Sequence, residues 1–223
     1  MVIDGGGAAA FGFRYQYLAT AEEVLRVLIA YAGDIGDLAL LVEPTRQELG
    51  GENGEDDNVV DFGVEGHGEV IRRVQVKASR SPSGLNPLRH SDARDIFDRG
   101  GRGGPSAAIL TNKPIAKKLL KACGATASGQ DGQVVYTLAS KRSVEGDVTS
   151  SEQSIIYDNR PPAEIKRRVL ELMRALRRDN ARGQGERTAA LLAALLLDTI
   201  FESAADLTQR RLSGRDLLEP SRV

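Results

Sequence analysis

The sequence predicts an α/β fold, on three observations: a long helical period near the N-terminus, a β-hairpin pattern between residues 59 and 77, and alternating helix and strand signals from there to residue 157. The first element follows from Tyr17, Leu18, Ala21, Val24, Leu25, Leu28 and Ile29, which recur at three and four and give a helix from Phe13 to about Tyr31 with one buried face. Leu38 to Val42 is a short apolar run that reads as a buried strand, stopped by Glu43-Pro44. A Gly-rich acidic loop, QELGGENGEDDN, follows.

Val59 to Val64 and Glu69 to Lys77 are β-branched runs around Glu65-Gly66-His67-Gly68, the pattern of a hairpin with a Gly-rich turn. Residues 80 to 90 are punctuated by Pro, Ser and Gly and predict an exposed loop, with a short helix at about Ser91 to Asp98. Ser106 to Asn112 reads as a buried strand, and Pro114 opens a helix that closes at Gly124. Gln133 to Leu138 and Ser154 to Tyr157 predict two more strands, so the whole is a small mixed sheet flanked by helices. From Pro161-Pro162 onward two helices separated by NARGQG predict a C-terminal helical extension; Leu191 to Ile200 is apolar almost all round. The expected division is therefore a domain over 1–160 and an extension over 161–223, with the chain cut from a longer protein.

Composition narrows the function classes. The chain has 223 residues, 41% apolar and 27% charged, which excludes collagenous and disordered proteins. No uninterrupted apolar stretch approaches a membrane span and the N-terminus lacks a basic signal-peptide region, so the expectation is a cytoplasmic protein without membrane contact. A single thiol, Cys123, excludes an internal disulfide and a Cys-rich zinc site. The net charge of -1 conceals an asymmetry: residues 1–66 hold 13 acidic and 3 basic side chains, whereas the remainder is cationic. That distribution fits either a divalent-metal site framed by a surface for polyanions or uneven decoration of a neutral surface.

The chemistry concentrates between Glu43 and Ser79. Alternate strand residues share a face, so Gln75 and Lys77 point the same way. With Gly66-His67-Gly68 as the loop, Asp61 is expected opposite Arg73 and diagonal to Gln75, with Asp57 opposite Lys77; a slip by one would scatter the set. Carboxylates, an amide oxygen and an ammonium on one patch suit phosphodiester hydrolysis with Mg²⁺, which takes oxygen ligands and keeps several waters. Asp61 supplies the carboxylate, the Gln75 side chain and the Val76 carbonyl supply neutral ligands, and Lys77 offsets developing negative charge. Asp57 competes with Asp61 as the metal-binding acid, and Glu43, and Glu22 or Glu23 on the first helix, are candidates for an accessory carboxylate. Arg80 and Arg89 on the loop, and Lys117 and Lys121 on the helix after Pro114, are candidates for DNA phosphate contacts or for a solvated face.

Gly5, Gly7 and Ala10 spell a dinucleotide-binding pattern, but no strand precedes them and the reading fails.

Asp61 followed by Gln75-Val76-Lys77 at the end of the next strand resembles the PD-(D/E)XK nuclease signature in the variant where Gln replaces the acid, as in Mrr-like restriction endonucleases. The wider frame resembles the double-stranded DNA nuclease domain that acts as effector in anti-phage CBASS and AVAST systems. The shared features are a Gly-rich start leading into a helix with Tyr15-Gln16, then Val42-Glu43, the Glu55-Asp56-Asp57 loop, and QVKAS followed by a strand ending Thr111-Asn112. The resemblance covers residues 5 to about 125. It departs at Val59-Val60, where Mrr-like sequences carry Gly-Gly or Pro before the acid. It implies a restriction-endonuclease-like fold, cleavage of double-stranded DNA dependent on Mg²⁺ with Mn²⁺ able to substitute, and activation by oligomerisation. Gln16 joins the site on this basis. The implied partners are DNA, further copies of the chain in a dimer or tetramer, and a sensor or ATPase region of the same parent protein.

Overall fold

Alternating and continuous apolar runs assemble into an eight-stranded mixed sheet with helices on both faces, in a computed structural model that describes residues 5–31, 35–44, 60–82, 84–99, 106–129, 132–138, 152–179, 186–205 and 211–218. In chain order the elements are α1 (Gly5–Ala30), β1 (Leu38–Val42), β2 (Phe62–Gly66), β3 (Glu69–Lys77), α2 (His90–Arg99), β4 (Ser106–Thr111) and α3 (Lys117–Ala122). They continue with β5 (Cys123–Ser128), β6 (Val134–Leu138), β7 (Gln153–Tyr157), α4 (Pro162–Asp179), α5 (Glu186–Ala205), β8 (Arg211–Ser213) and α6 (Gly214–Leu218). The strand order is β5-β6-β7-β4-β3-β2-β1-β8. β4 runs parallel to both β3 and β7, while the remaining pairs are antiparallel. A parallel return from β3 to β4 requires a crossover, and α2 supplies it.

The two faces are covered by different helices. Leu38, Leu40, Val42, Phe62, Val74, Val76, Leu110 and Ile156 pack with Leu18, Val24, Leu25 and Leu28 of α1 and with the apolar stripe Ile165, Val169, Leu172, Met173 and Leu176 of α4. The spacing of that α4 stripe is helical, and Pro162 sits in its first turn, where a missing N–H costs no hydrogen bond. On the other face Ile109 and Ile155 meet Leu88, Ala93, Phe97 and Leu119 from the α2 and α3 side.

α4, α5, β8 and α6, which lie within the 161–223 stretch expected as an extension, enter the same core: Leu192, Leu196, Ile200, Leu212 and Leu217 belong to the cluster of α1 and the sheet. β8 pairs with β1 and closes that sheet edge, held further by the Arg211 to Glu65 ion pair at 2.6 Å. Among the described residues α5 is the one helix long and apolar enough to cross a membrane by length and composition, yet its inner stripe is core here. β5 and β8 correct the sequence reading. Cys123 to Ser128 pairs with β6, so the helix after Pro114 is only Lys117–Ala122, and the extension expected to be helical contains a strand, Arg211–Ser213.

A buried ionic network ties α1 to the end of β7. Arg160 donates to both oxygens of Asp158 (2.9 and 2.6 Å) and of Glu22 (3.1 and 2.9 Å), while Arg26 adds a second guanidinium on Glu22. Tyr15 Oη donates to the Asp158 carbonyl at 3.0 Å and Gln133 Nε2 to its carboxylate at 3.1 Å. Burial pushes the Asp158 carboxyl up, but the Arg160 guanidinium and the Gln133 amide outweigh it and hold it below the usual range. Replacing Arg160 by Met is expected to cost about 3–5 kcal/mol in chemical denaturation, because two carboxylates are left buried with less compensation. With a lowered folded-state value, the Asp158 contribution is complete above about pH 4 and lost on further acidification, so acid-induced unfolding of the Asp158→Asn variant should show a shallower pH dependence below that point. Gly214→Ala should also destabilise strongly, since a Cβ there meets the Ile35 carbonyl oxygen at 2.1 Å where α6 docks.

Candidate functional site

The β2–β3 register decides which polar groups meet. His67 and Gly68 both take positive φ (53° and 79°), the requirement of a two-residue turn whose twist matches the strands, and Gly66 pairs directly with Glu69. An irregularity between Val64 and Glu65 then shifts the ladder, so Arg73 pairs with Gly63 and Val74 with Phe62. The expected pairing of Asp61 with Arg73 is thereby corrected by two residues. An even displacement keeps every side chain on its face, and Asp61 arrives level with Gln75.

Asp61 sits one residue before β2 and is pinned on all sides. Its N–H donates to the Val74 carbonyl (3.1 Å) and its carbonyl accepts from the Glu43 N–H (2.8 Å). Its carboxylate Oδ2 accepts from Gln75 Nε2 and from the Val76 backbone N–H, both at 2.5 Å. Val76 thus meets Asp61 through its backbone N–H. Glu43, at the end of β1, has φ of 44°, a left-handed conformation costly for a non-glycine residue, and its Oε1 accepts from Gln16 Nε2 of α1 at 3.3 Å. Glu43, Asp61, Gln75 and Gln16 therefore form one cluster at the C-terminal ends of β1 and β3.

Burial pushes the Asp61 carboxyl up to about 6 and the Glu43 carboxylate adds to the rise, against the Val76 N–H, the Lys77 ammonium and the Gln75 amide, which favour ionisation. Lys77 lies at the end of β3, and its carbonyl accepts from Thr111 Oγ1 at 2.7 Å. Asn112 brackets the chain just beyond it, donating to the Ser79 carbonyl and accepting from its N–H, both at 2.8 Å. Asn112 is buried, so this bracket fixes the exit of the chain from Lys77.

Sequence reasoning did not single out Tyr17. Burial raises its hydroxyl, and the nearby Glu43 and Asp61 carboxylates raise it further, so it stays protonated beside them. Its signal was the turn it shares with Gln16. Glu22 belongs to the buried Arg160 network and Glu23 pairs with Arg72 at 3.0 Å, whereas Glu43 bonds the Asp61 carbonyl through its N–H and lies beside that acid. Asp57 lies outside the described residues.

The candidate cations divide. Arg89 lines a groove of about 680 Å³ with His90, Ser91, Arg94, Asp95, Ala116 and Lys118, built by the segments that follow β3 and β4. Lys118 rather than Lys117 or Lys121 lines it; those two are exposed on α3, and Arg80 is exposed on the loop after β3. Groove and carboxylate cluster share the C-terminal side of the parallel strands, where open α/β sheets place their ligands.

Among the described residues no three His, Cys, Asp or Glu side chains gather as a metal cage. Two carboxylates with an amide oxygen nonetheless suit Mg²⁺, which is usually held by one or two carboxylates plus substrate oxygens. Burial, with the Glu43 carboxylate adding to it, disfavours the ionised Asp61 carboxyl, a cost that a divalent cation at this position would relieve. The chain matches no protein-family profile, no curated protein and no solved structure.

An acid whose folded-state value lies above its ordinary 3.8 opposes folding once ionised. Without added metal, Asp61→Asn should therefore stabilise the protein by on the order of 2 kcal/mol at pH 8, and the gain should vanish below about pH 4, where the carboxyl is protonated folded and unfolded. Urea denaturation at the two pH values measures it.

Proposed function

We propose that this chain is a metal-dependent endonuclease domain that hydrolyses phosphodiester bonds of double-stranded DNA with little sequence preference. The observation that carries this reading is the meeting of Asp61, Gln75 and Glu43 on three adjacent strands, with Lys77 ending the same strand as Gln75. Asp61, Glu43 and the Gln75 amide oxygen would hold the ion. When bound, a divalent cation supplies Lewis-acid stabilisation of the negative charge that grows on the phosphate.

The remaining work falls to the chain itself. Lys77 brings a compact positive charge to the mouth of the cluster, suited to neutralising a phosphate oxygen. Gln16 holds the Glu43 carboxylate, and the Val76 N–H holds that of Asp61, so neither acid must reorganise when substrate arrives. Arg89, Arg94 and Lys118 give the groove a cationic lining suited to the phosphate backbone, a contact that positions DNA without reading bases. On this reading the chain is the effector part of a prokaryotic anti-phage defence protein acting in the cytoplasm, where clustering by a sensor or ATPase region brings two sites to the two strands.

The test is plasmid cleavage by the protein at high concentration or artificially tetramerised, with Mg²⁺, Mn²⁺ or EDTA. Nicking or linearisation with either metal, abolished by EDTA, is expected, with Lys77→Ala lowering the rate by about 10² to 10³. Gln75→Ala should lose cutting while DNA affinity persists. Salt-dependent DNA binding without cleavage under every condition would make the chain a binding module of this fold instead.

A further inference from the structure

Only ten aromatic side chains occur in the chain, and three of them meet on the surface beside the carboxylate cluster. Phe13 and Tyr17, one turn apart on α1, lie nearly parallel, with ring centroids 6.5 Å apart and 14° between planes. Phe201 of α5 meets Tyr17 edge-on at 5.5 Å, which braces that ring. Phe13 and Phe201 are 54% and 51% exposed. The same turn of α1 carries Gln16, which reaches Glu43. The platform therefore stands at the carboxylates rather than elsewhere on the surface, and Arg14 is exposed beside it.

A flat, braced and exposed ring costs little to desolvate against another flat ring, and base stacking on aromatic side chains tolerates every sequence. Closed duplex offers no base face, because its bases are already stacked. We infer that Phe13, supported by Tyr17 and Phe201, stacks an unpaired nucleobase of the strand held at Glu43, Asp61 and Lys77, so that the favoured substrate is duplex DNA locally opened by a gap, mismatch or extruded base. This rests on the nuclease reading above and adds to it the state of the base next to the scissile phosphate.

The experiment measures fluorescence anisotropy of labelled DNA in EDTA, comparing closed duplex with a duplex carrying a short single-stranded gap. The wild type should bind the gapped duplex about tenfold more tightly, Phe13→Leu should remove that preference, and Phe13→Tyr should keep it. Affinity for closed duplex should be the same in all three. Equal wild-type affinity for both DNAs, or a preference that survives Phe13→Leu, overturns the inference. So does an unchanged preference with a fall in sedimentation mass in Phe13→Leu, which would make the patch an interface between copies of this chain. If the wild type nicks closed duplex with Mg²⁺ but shows no preference, only this inference falls; if it neither binds nor nicks DNA, the nuclease reading falls with it.

Discussion

Phe62 stands opposite Val74, and from that one pairing most of the site follows. It sets Asp61 level with Gln75 and within reach of the Val76 N–H, and through the β1–β2 ladder it brings Glu43 alongside. Two local devices produce it, a turn that needs positive φ at His67 and Gly68 and an irregularity at Val64 and Glu65. Each moves the ladder, and together they restore the parity that keeps Phe62, Val74 and Val76 in the core. Core and chemistry thus share a constraint of parity, since a slip by one residue would misplace the acids and expose the apolar face together.

The second constraint is electrostatic. The Glu22–Arg160–Asp158 network lies where α1 crosses the ends of β4 and β7, and the Asp158 N–H also bonds the Thr111 carbonyl. Buried ion pairs contribute little net stability, but their directional bonds fix orientation at a cost for every alternative. Here they hold α1 at the angle that lets Gln16 reach Glu43 and Tyr17 face the carboxylates, while Asn112 holds the opposite rim through Ser79. The strained backbone at Glu43 and the raised Asp61 carboxyl are local costs that this surrounding order sustains.

Much of this was legible in the residues. The helical period of α1, the apolar run of β1, the hairpin and the alternation through β7 all depend on short-range pattern, and Leu38–Val42 and Glu69–Lys77 fall where the pattern places them. β5 was not, because Cys123-Gly-Ala-Thr-Ala-Ser is weakly apolar and becomes a strand only through pairing with β6. β8 is three residues long and exists because β1 offers an open edge. Arg160 gave no signal either, since its partners lie 138 residues away on α1 and two residues away after β7.

The sequence by itself determined the class of fold, the two-residue alternation that puts Gln75 and Lys77 on one side of a strand, and the kinds of group available to the site. Periodicity and side-chain chemistry are properties of neighbours along the chain, so they can be read there. The tertiary structure alone decided the partner of each group: Asp61 with Val76 through an amide, Glu43 rather than Glu22 or Glu23 beside it, Lys118 rather than Lys117 or Lys121 in the groove, and three scattered aromatics made into one surface. Those outcomes depend on cross-strand register and on the angle of a helix over a sheet, which arise only when distant segments compete to bury the same apolar faces.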